Sequence, residues 1–273
     1  MNPLIVAVAL FYTLSAIGYL AYLIRQNTYL YRAGFYLLII GCLLHTVLIG
    51  YGTIHAGHLP VHNLRETLSM AAWAMAGLFL LFQSWYHLKI LGAFASPVVA
   101  VIMIITIYLP AQTINPPAAF NSLWLYFHIV TVFLGDASFA LAFGAGIFYL
   151  IQEQAIKTKT HGFFYRRLPS LEFIDATGYA CIVVGFALLT IGLVTGFAYA
   201  KTVWGRFWSW DPKEIWSGIA WMLYAALLHA RLSMGWRGRK AAIMAIIGFG
   251  VLLFTFFGVN FFLKGHHGEF TRW

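Results

Sequence analysis

The chain has 273 residues, of which 62% are hydrophobic and 18% aromatic but only 9% charged. Since a soluble domain carries about 25% charged residues, this sequence cannot cover a globular surface with polar groups. The mean hydropathy of +0.80 excludes a soluble enzyme and a disordered chain. The net charge of +9 does not indicate a nucleic-acid partner, because no run of Lys and Arg exceeds two residues and the charges lie between apolar segments. Charges in such positions orient a membrane protein.

Eight apolar stretches are long enough to cross a bilayer. They lie at roughly 3–24, 35–52, 68–86, 90–109, 125–151, 173–199, 215–231 and 241–263. The first has neither a basic preceding region nor a small-residue cleavage site, so we predict a retained helix and not a signal peptide. The connections are too short for a soluble domain. The sequence therefore predicts an all-α polytopic membrane protein with about eight transmembrane helices, forming a single integral membrane domain over residues 1–273.

The Lys and Arg residues predict the topology. Eleven lie in the first, third, fifth and seventh connections, against six in the other connections and the C-terminal tail. The positive-inside rule then places the odd connections in the cytoplasm and both termini on the extracytoplasmic side.

The sixth connection, residues 200–214, is predicted to be an external loop. It holds Trp204, Phe207, Trp208 and Trp210, interleaved with cations and followed by an Asp-Pro-Lys-Glu run. An interfacial aromatic belt accounts for Trp residues at a membrane surface. The alternative is a platform for a large flat ligand that bears carboxylates, such as haem with its two propionates. The residue pattern leaves both interpretations open.

Ten histidines are unusual in so apolar a chain, and an ionisable residue in a membrane segment is by default a functional hypothesis. His128 near the outer end of the fifth stretch and His267 after the eighth share the side of the Trp-rich loop. The simplest interpretation of each alone is an interfacial or solvated residue. Together with the loop, they are candidates for the two axial ligands of one haem iron, with His266 as the competitor to His267.

Three further residues lie within the apolar stretches. His229 comes eight residues after Trp221 and is therefore expected on much the same helix face. His229 and His45 are candidates either for ligands of a second haem or for hydrogen bonds between helices, and for His45 alone we prefer the hydrogen bond. Asp136 is interpreted as a helix-packing hydrogen bond in preference to a step in a proton path.

A third group, His55, His58 and His62, has a spacing that places ligands on one face only in a helix. Gly57 and Pro60 argue against a helix there, so a dedicated zinc site is disfavoured. The sequence contains no nucleophile elbow, phosphate-binding glycine loop or dinucleotide fingerprint.

The segment Trp204-Gly-Arg-Phe-Trp-Ser-Trp-Asp-Pro-Lys-Glu214 resembles the WWD signature of haem-handling proteins in cytochrome c maturation. Its continuation to His229 resembles the CcsA/ResC family, and Pro60–Glu66 resembles that family's P-x-x-N-x-x-E segment. Residues 168–175, 185–196 and 259–267 are similar to it as well, so the likeness runs from about residue 36 to the end. One departure is the run His266-His267-Gly-Glu, where family members commonly have Leu-His-Ser-Tyr.

This resemblance implies a component of the System II cytochrome c synthetase. Such a component works with a CcsB-type membrane partner to export haem b and present it on the extracytoplasmic side. There haem is attached covalently to the CxxCH motif of apocytochrome c, a holocytochrome c synthase activity that belongs to the complex. Thiol-reducing proteins are further expected partners, and nucleic acid is not. The membrane would be the bacterial cytoplasmic membrane, or the thylakoid membrane in a plastid.

By the same resemblance, His128 and His267 would hold the external haem, and His229 the iron of an inner haem. The ligand opposite His229 would come from the partner or from His45. The implied haem platform is Trp204, Gly205, Trp208, Trp210, Asp211 and Glu214. We further expect Arg206, Lys201 or Lys213 to pair with propionates.

Three other functions stay open at this point. A CcmC-like protein would deliver haem without ligating it to the cytochrome, and a non-catalytic relative would regulate haem synthesis. A secondary transporter of another solute would show inverted repeats and broken helices at the midplane, and neither is evident in the sequence.

Overall fold

The computed structural model describes residues 3–86, 89–110, 122–159 and 162–262. Every regular element within these ranges is helical, which confirms the predicted all-α fold. The main helices are α1 Pro3–Arg25, α2 Thr28–Ala56, α3 Leu64–Tyr86, α4 Gly92–Tyr108, α5 Leu123–Lys157, α6 Leu171–Trp204, α7 Pro212–Ser233 and α8 Arg239–Leu253. A 3₁₀ turn over Lys89–Leu91 precedes α4. After α8 the chain continues through a π-helical segment, Phe254–Gly258, into a last α turn, Val259–Phe262.

Seven helical stretches are long and apolar enough to cross a membrane: α1 to α6, with α4 counted from Lys89, and Arg239–Gly258. The predicted stretch 215–231 forms α7, but α7 does not reach the same apolarity. Lys213, Glu214, His229 and Arg231 all lie on it. With 22 residues it is about 33 Å long, close to the thickness of the hydrocarbon core.

Two helices extend beyond their apolar stretches because polar groups cap them. The side chain of Asn27 accepts a hydrogen bond from the Tyr29 N–H at 2.9 Å, so α2 begins at Thr28. The second helix is α6, whose C-terminal end continues to Trp204. Residues 200–204 are therefore helical, and the irregular part of the predicted 200–214 loop is confined to 205–211.

Glycines bring α5 and α6 close together. A Cβ placed on Gly135 of α5 would lie 3.1 Å from the Leu189 nitrogen and 3.3 Å from the Gly185 oxygen of α6. Nearer the start of α5, residue 132 faces Gly192 in the same way, so the two helices run antiparallel. Small residues at such a crossing let membrane helices approach closely. This pair positions the start of α5 against the end of α6, where the candidate site lies.

Candidate functional site

The Trp segment, Trp204–Glu214, joins α6 to α7. Gly205 follows the last residue of α6 with φ 72°, a left-handed conformation that favours glycine. Its N–H donates to the Lys201 carbonyl at 3.1 Å, and its own carbonyl accepts from Lys201 Nζ at 2.9 Å. The Lys201 ammonium, which also lies 5.4 Å from the Phe207 ring centre, thus closes the helix end.

Two acidic residues fix the other end of the Trp segment by forming a capping box at the start of α7. Asp211 is buried and its Oδ1 accepts from the Lys213 N–H at 2.9 Å. Glu214 Oε2 accepts from the backbone N–H groups of Ser209 (2.8 Å) and Asp211 (3.2 Å), and Oε1 accepts from Ser209 Oγ at 2.9 Å. Both carboxylates are therefore occupied in shaping the segment.

The aromatic rings of the Trp segment meet edge to face. Trp208 packs against Phe197 of α6 and against Trp210, each at 5.7 Å between ring centres, and the two indoles are almost perpendicular at 88°. Trp204 packs edge-on against Tyr199 at 6.1 Å. The rings thus form an angled aromatic wall. Trp210 is its most exposed Trp ring, at 75%.

His128 of α5 lies against α6 beside this wall. Its Nδ1 lies 2.7 Å from the Gly192 carbonyl oxygen, so Nδ1 carries the proton and donates. In that tautomer Nε2 carries the lone pair, which is the arrangement of a metal-ligating histidine. The ring fits because position 196 is glycine: a Cβ there would lie 2.7 Å from Nδ1. The next residue, Phe197, is the one that packs on Trp208.

The second expected external ligand, His267, and its competitor His266 lie outside the described residues. The described chain ends at residue 262, in the last turn after the π-helical segment. Phe254 at the start of that segment packs against Trp216 in the second turn of α7, with ring centres 4.5 Å apart. The described chain therefore ends on the side of the bundle that carries the Trp segment.

His45 has both ring nitrogens engaged. Nδ1 lies 3.2 Å from the Tyr12 hydroxyl of α1, and Nε2 lies 2.8 Å from Ser69 Oγ of α3. The side chain is fully buried. This confirms the preferred hydrogen-bonding interpretation. It argues against His45 as an iron ligand, because both ring nitrogens are within hydrogen-bond distance of a protein hydroxyl.

His229 is exposed on the outer surface of α7. The expectation that it shares a face with Trp221 is wrong. Trp221 faces α6, where its Nε1–H donates to Thr190 Oγ1 at 2.9 Å and its ring stacks on Phe186. Eight residues advance an α-helix by about 80° beyond two full turns, which is enough to turn His229 outward.

The connection from α2 to α3 packs at the end of the bundle that carries the Trp segment. In the sequence it is singled out only by its resemblance to the family's P-x-x-N-x-x-E segment. Val61 packs with Leu125 of α5 and Tyr199 of α6 in a small apolar cluster. Asn63 Oδ1 accepts from the Glu66 N–H at 2.9 Å, and Glu66 Oε2 accepts from the His62 N–H at 2.9 Å. The sequence pattern that predicts this turn is Asn followed three residues later by Glu, which is a capping pattern. The same spacing recurs in Asp211 and Glu214.

The histidines of the 55–62 run separate in the structure. His55 packs on Tyr51 with ring centres 4.1 Å apart and ring planes tilted by 58°, whereas His62 Nε2 lies 2.8 Å from His58 Nδ1. Burial, with the nearby His58 as the second cause, lowers the pKa of His62 to about 4. Burial thus keeps His62 uncharged at physiological pH, and its bond to His58 lies in the turn before α3.

Comparison with known proteins adds to this geometry. Residues 61–267 match the model of the family described as "Cytochrome C assembly protein". The chain belongs to this family. The match starts in the capped connection before α3, includes His128 and the whole Trp segment, and ends at His267.

Among its relatives, this cytochrome c assembly protein is similar to the cytochrome c biogenesis protein CcsA of Guillardia theta. The two are 32% identical over 275 residues, which cover 93% of this chain and 91% of the relative. The CcsA proteins of a Synechococcus strain (32% identical, 78% of each chain) and of Prochlorococcus marinus subsp. pastoris (34% identical, 78% of this chain and 76% of the relative) are similar as well. These relatives identify the CcsA branch of the family.

A solved structure, the cytochrome c haem lyase CcmF, shares the fold. It superposes with a TM-score of 0.65 at 16% sequence identity, covering 98% of this chain and 48% of the CcmF chain. At this identity the likeness shows the architecture of the helix bundle. The assembly protein therefore spans about half of that larger chain.

Proposed function

We propose that this chain is the component of a cytochrome c synthetase that binds haem b and presents it for attachment to apocytochrome c. Membership of the cytochrome c assembly family and similarity to CcsA proteins support a haem-handling role in cytochrome c maturation. The synthase activity belongs to a complex with a CcsB-type membrane partner. The Trp segment faces the extracytoplasmic side of a bacterial cytoplasmic or thylakoid membrane.

The observation that carries the proposal is the hydrogen bond from His128 to the Gly192 carbonyl. It orients the ring and places the lone pair on Nε2, next to the part of α6 from which Phe197 packs on Trp208. The residues fit a haem: an imidazole for the iron, the ring of Trp210 for the porphyrin, and the exposed cation Arg206 for a propionate. Lys201 is less suited to a propionate because it already bonds to Gly205.

The second ligands are assigned by the same reasoning. His267, with His266 as the alternative, completes the external pair with His128. His229 serves an inner haem, and its exposed position supports a partner helix as the source of the opposite ligand. His45 is left out because Tyr12 and Ser69 hold its two nitrogens.

The chemistry requires positioning above all. Haem supplies two vinyl groups, and each cysteine S–H of CxxCH adds across one of them. Sulfur bonds to one vinyl carbon and the hydrogen goes to the other, so no oxidant or reductant is consumed. The protein holds the vinyl groups at the aromatic wall while His128 fixes the iron. The histidine of CxxCH then replaces His267, the ligand on the C-terminal segment.

The test is coexpression of the chain with a CcsB-type partner and an apocytochrome that carries CxxCH. Covalent haem on the cytochrome and the spectrum of haem bound to the purified complex are both measured. We expect His128→Ala to lose the external haem and the covalent product, and added imidazole to restore part of both. His55→Ala, which alters an exposed histidine of the same end, serves as the control and keeps both.

The outcomes separate the candidate functions. Normal haem content and normal product in His128→Ala would contradict the assignment of the ligand. Bound haem in the wild type without any covalent product would indicate delivery without ligation, as in CcmC-like proteins. A wild-type complex without haem would favour a regulatory relative and overturn the proposal.

A further inference from the structure

Asp136 is a carboxylate in the middle of the bundle that makes no hydrogen bond within the described residues. It lies 13 residues after the start of α5, which is about 20 Å along the helix axis. Oδ1 is completely buried and has no hydrogen-bond partner within the described residues. The helix-packing hydrogen bond expected for Asp136 is therefore absent from the described structure. A buried polar group of this kind points to water, an ion or a proton that completes the site.

Two polar groups of α7 act on Asp136. The ammonium of Lys213 and the phenol of Tyr224 both interact electrostatically with its carboxyl group. Lys213 makes no side-chain hydrogen bond or ion pair within the described ranges. The Tyr224 hydroxyl is buried and likewise lacks a partner there, while its ring stacks on Phe139 at 3.6 Å. The Tyr224 hydroxyl lies 3.0 Å from the Cβ position of Gly248 of α8. Buried polar atoms without a partner among the described residues thus lie on α5 and α7, next to the Phe139–Tyr224 stack.

The neighbouring helices place no charged residue near Asp136, Lys213 and Tyr224 within the described residues. Helices α3, α6 and α8 also pack against α5, and their charged residues lie near the helix ends: Arg65, Glu66, Glu172, Asp175, Lys201, Arg239 and Lys240. The titratable group of α6 at this level is Cys181, which is buried and whose carbonyl accepts from Ser138 Oγ at 2.7 Å.

The Trp segment covers this polar site from the outer end. Lys213 belongs to the segment and to the first turn of α7. The Trp208 ring reaches over α7, where it lies 3.8 Å from the Cβ position of Gly218. Its Nε1–H is buried and has no partner within the described residues. The Trp208 N–H is thus a further buried polar group without a partner among the described residues, and it lies closer than Asp136 to the outer end of the bundle.

We propose that Asp136, Lys213 and Tyr224 form a hydrated site that binds a proton inside the bundle and exchanges it with water at the Trp-segment end. Water supplies the hydrogen bonds that the three side chains lack, and the Asp136 carboxyl is the group that takes up the proton. The site stands on these contacts whether or not the chain handles haem.

The first test is infrared spectroscopy of the full chain, purified in detergent with no haem supplied. A protonated carboxyl group has a C=O band that shifts in D₂O. The other Asp and Glu side chains contribute to this band at low pH in every variant. We therefore expect the wild type to show one component of the band that Asp136→Asn lacks. Glu172→Gln, which changes an exposed acid at the start of α6, is the matched control and keeps that component.

The variant Lys213→Met tests whether Lys213 acts on the Asp136 carboxyl group. Removing a nearby cation takes away an interaction that favours the ionised carboxylate, so the band should persist to higher pH than in the wild type. Identical spectra of the wild type and Asp136→Asn, at every pH at which both proteins stay monodisperse, would overturn the proposal.

The second test measures hydration and access in oriented vesicles. Cysteine is placed at position 136 or at Ile191 in a chain with Cys42→Ala and Cys181→Ala. Ile191 lies on the outer surface of α6 and is 49% exposed, close in level to Leu189, which faces Gly135. A small water-soluble thiol reagent added at the Trp-segment side should modify Asp136→Cys and leave Ile191→Cys unmodified in lipid. Equal reactivity of the two, or modification of Asp136→Cys only from the opposite side, would contradict the proposed access.

Discussion

Arg231 of α7 and Asp175 of α6 form a two-pronged ion pair, with Nη1 3.0 Å from Oδ1 and Nη2 2.7 Å from Oδ2. Asp175 Oδ1 also accepts from the Gly238 N–H at 2.8 Å, so one carboxylate ties α6, α7 and the turn before α8 together. Asp175 lies in the first two turns of α6, at the end opposite Trp204. The pair therefore fixes α7 at the end that is remote from the Trp segment.

Replacing Asp175 by Asn should lower the free energy of unfolding by about 1–3 kcal/mol. Loss of one partner of a buried ion pair costs more than this, but both side chains keep some exposure, which reduces the cost. Thermal unfolding of the detergent-solubilised protein measures the change. Glu172→Gln should leave the transition in place, and a double replacement of Asp175 and Arg231 should be less harmful than the two single changes added together.

Gly196→Ala should remove haem from the external site as effectively as His128→Ala does. The added Cβ would lie 2.7 Å from His128 Nδ1, so the ring must leave the position in which it donates to Gly192. The haem spectrum of the purified complex reports the effect. Gly250→Ala is the matched control, because a Cβ on Gly250 meets nothing within 4 Å; a normal haem spectrum in Gly196→Ala would show that the ring position is not required.

Asp211→Ala should weaken haem binding through the conformation of the Trp segment. Loss of an N-cap costs about 1 kcal/mol, and the Trp segment loses one of its two fixed ends. Asp211→Asn should restore most of the binding, since Asn is an equally good N-cap. Haem titration of the two variants makes the comparison, and equal loss in both would indicate that the charge of Asp211 matters rather than its cap.

His45→Ala and His229→Ala should separate stability from ligand binding. The first removes two buried contacts, to Tyr12 and Ser69, and leaves a cavity, for a cost of about 2–4 kcal/mol. The second alters an exposed side chain and should change stability by less than about 0.5 kcal/mol. Unfolding temperatures and haem spectra of both variants, with the partner present, are the measurements. Loss of haem per folded molecule in His45→Ala would reinstate that residue as a ligand.

The protein should lose stability as the pH falls from about 6.5 towards 4, in part through His62. Burial lowers the pKa of His62 to about 4 in the folded protein, whereas an unperturbed histidine has a pKa of about 6.5. Between these two pKa values the unfolded chain therefore binds a proton that the folded chain does not. The contribution of His62 to the free energy of unfolding is complete only above about pH 6.5. Unfolding temperatures at several pH values should fall less steeply in His62→Asn. An unchanged slope would show that His62 contributes nothing.

The sequence predicts most of this fold because apolar length alone decides where membrane helices form. It does less well where a helix begins or ends by capping, as at Asn27 and Trp204, since one hydrogen bond extends a helix beyond its apolar stretch. Side-chain direction is the harder part. His45 and His229 occupy similar apolar surroundings in the sequence, but the rotation of each helix in the packed bundle buries one and exposes the other. That Asp136 makes no hydrogen bond within the described residues is likewise a property of helix packing.

The backbone at Trp210 has φ 61°, a region in which a bulky side chain costs free energy that glycine or asparagine would avoid. A selection for stability alone would therefore favour a small residue at position 210, and a selection for haem capture would favour an aromatic one. Under the proposed function, folding and haem binding therefore make opposite demands on this one position. The carboxylate of Glu214 holds the backbone on both sides of Trp210, at Ser209 and at Asp211, and so fixes the conformation in which this cost arises.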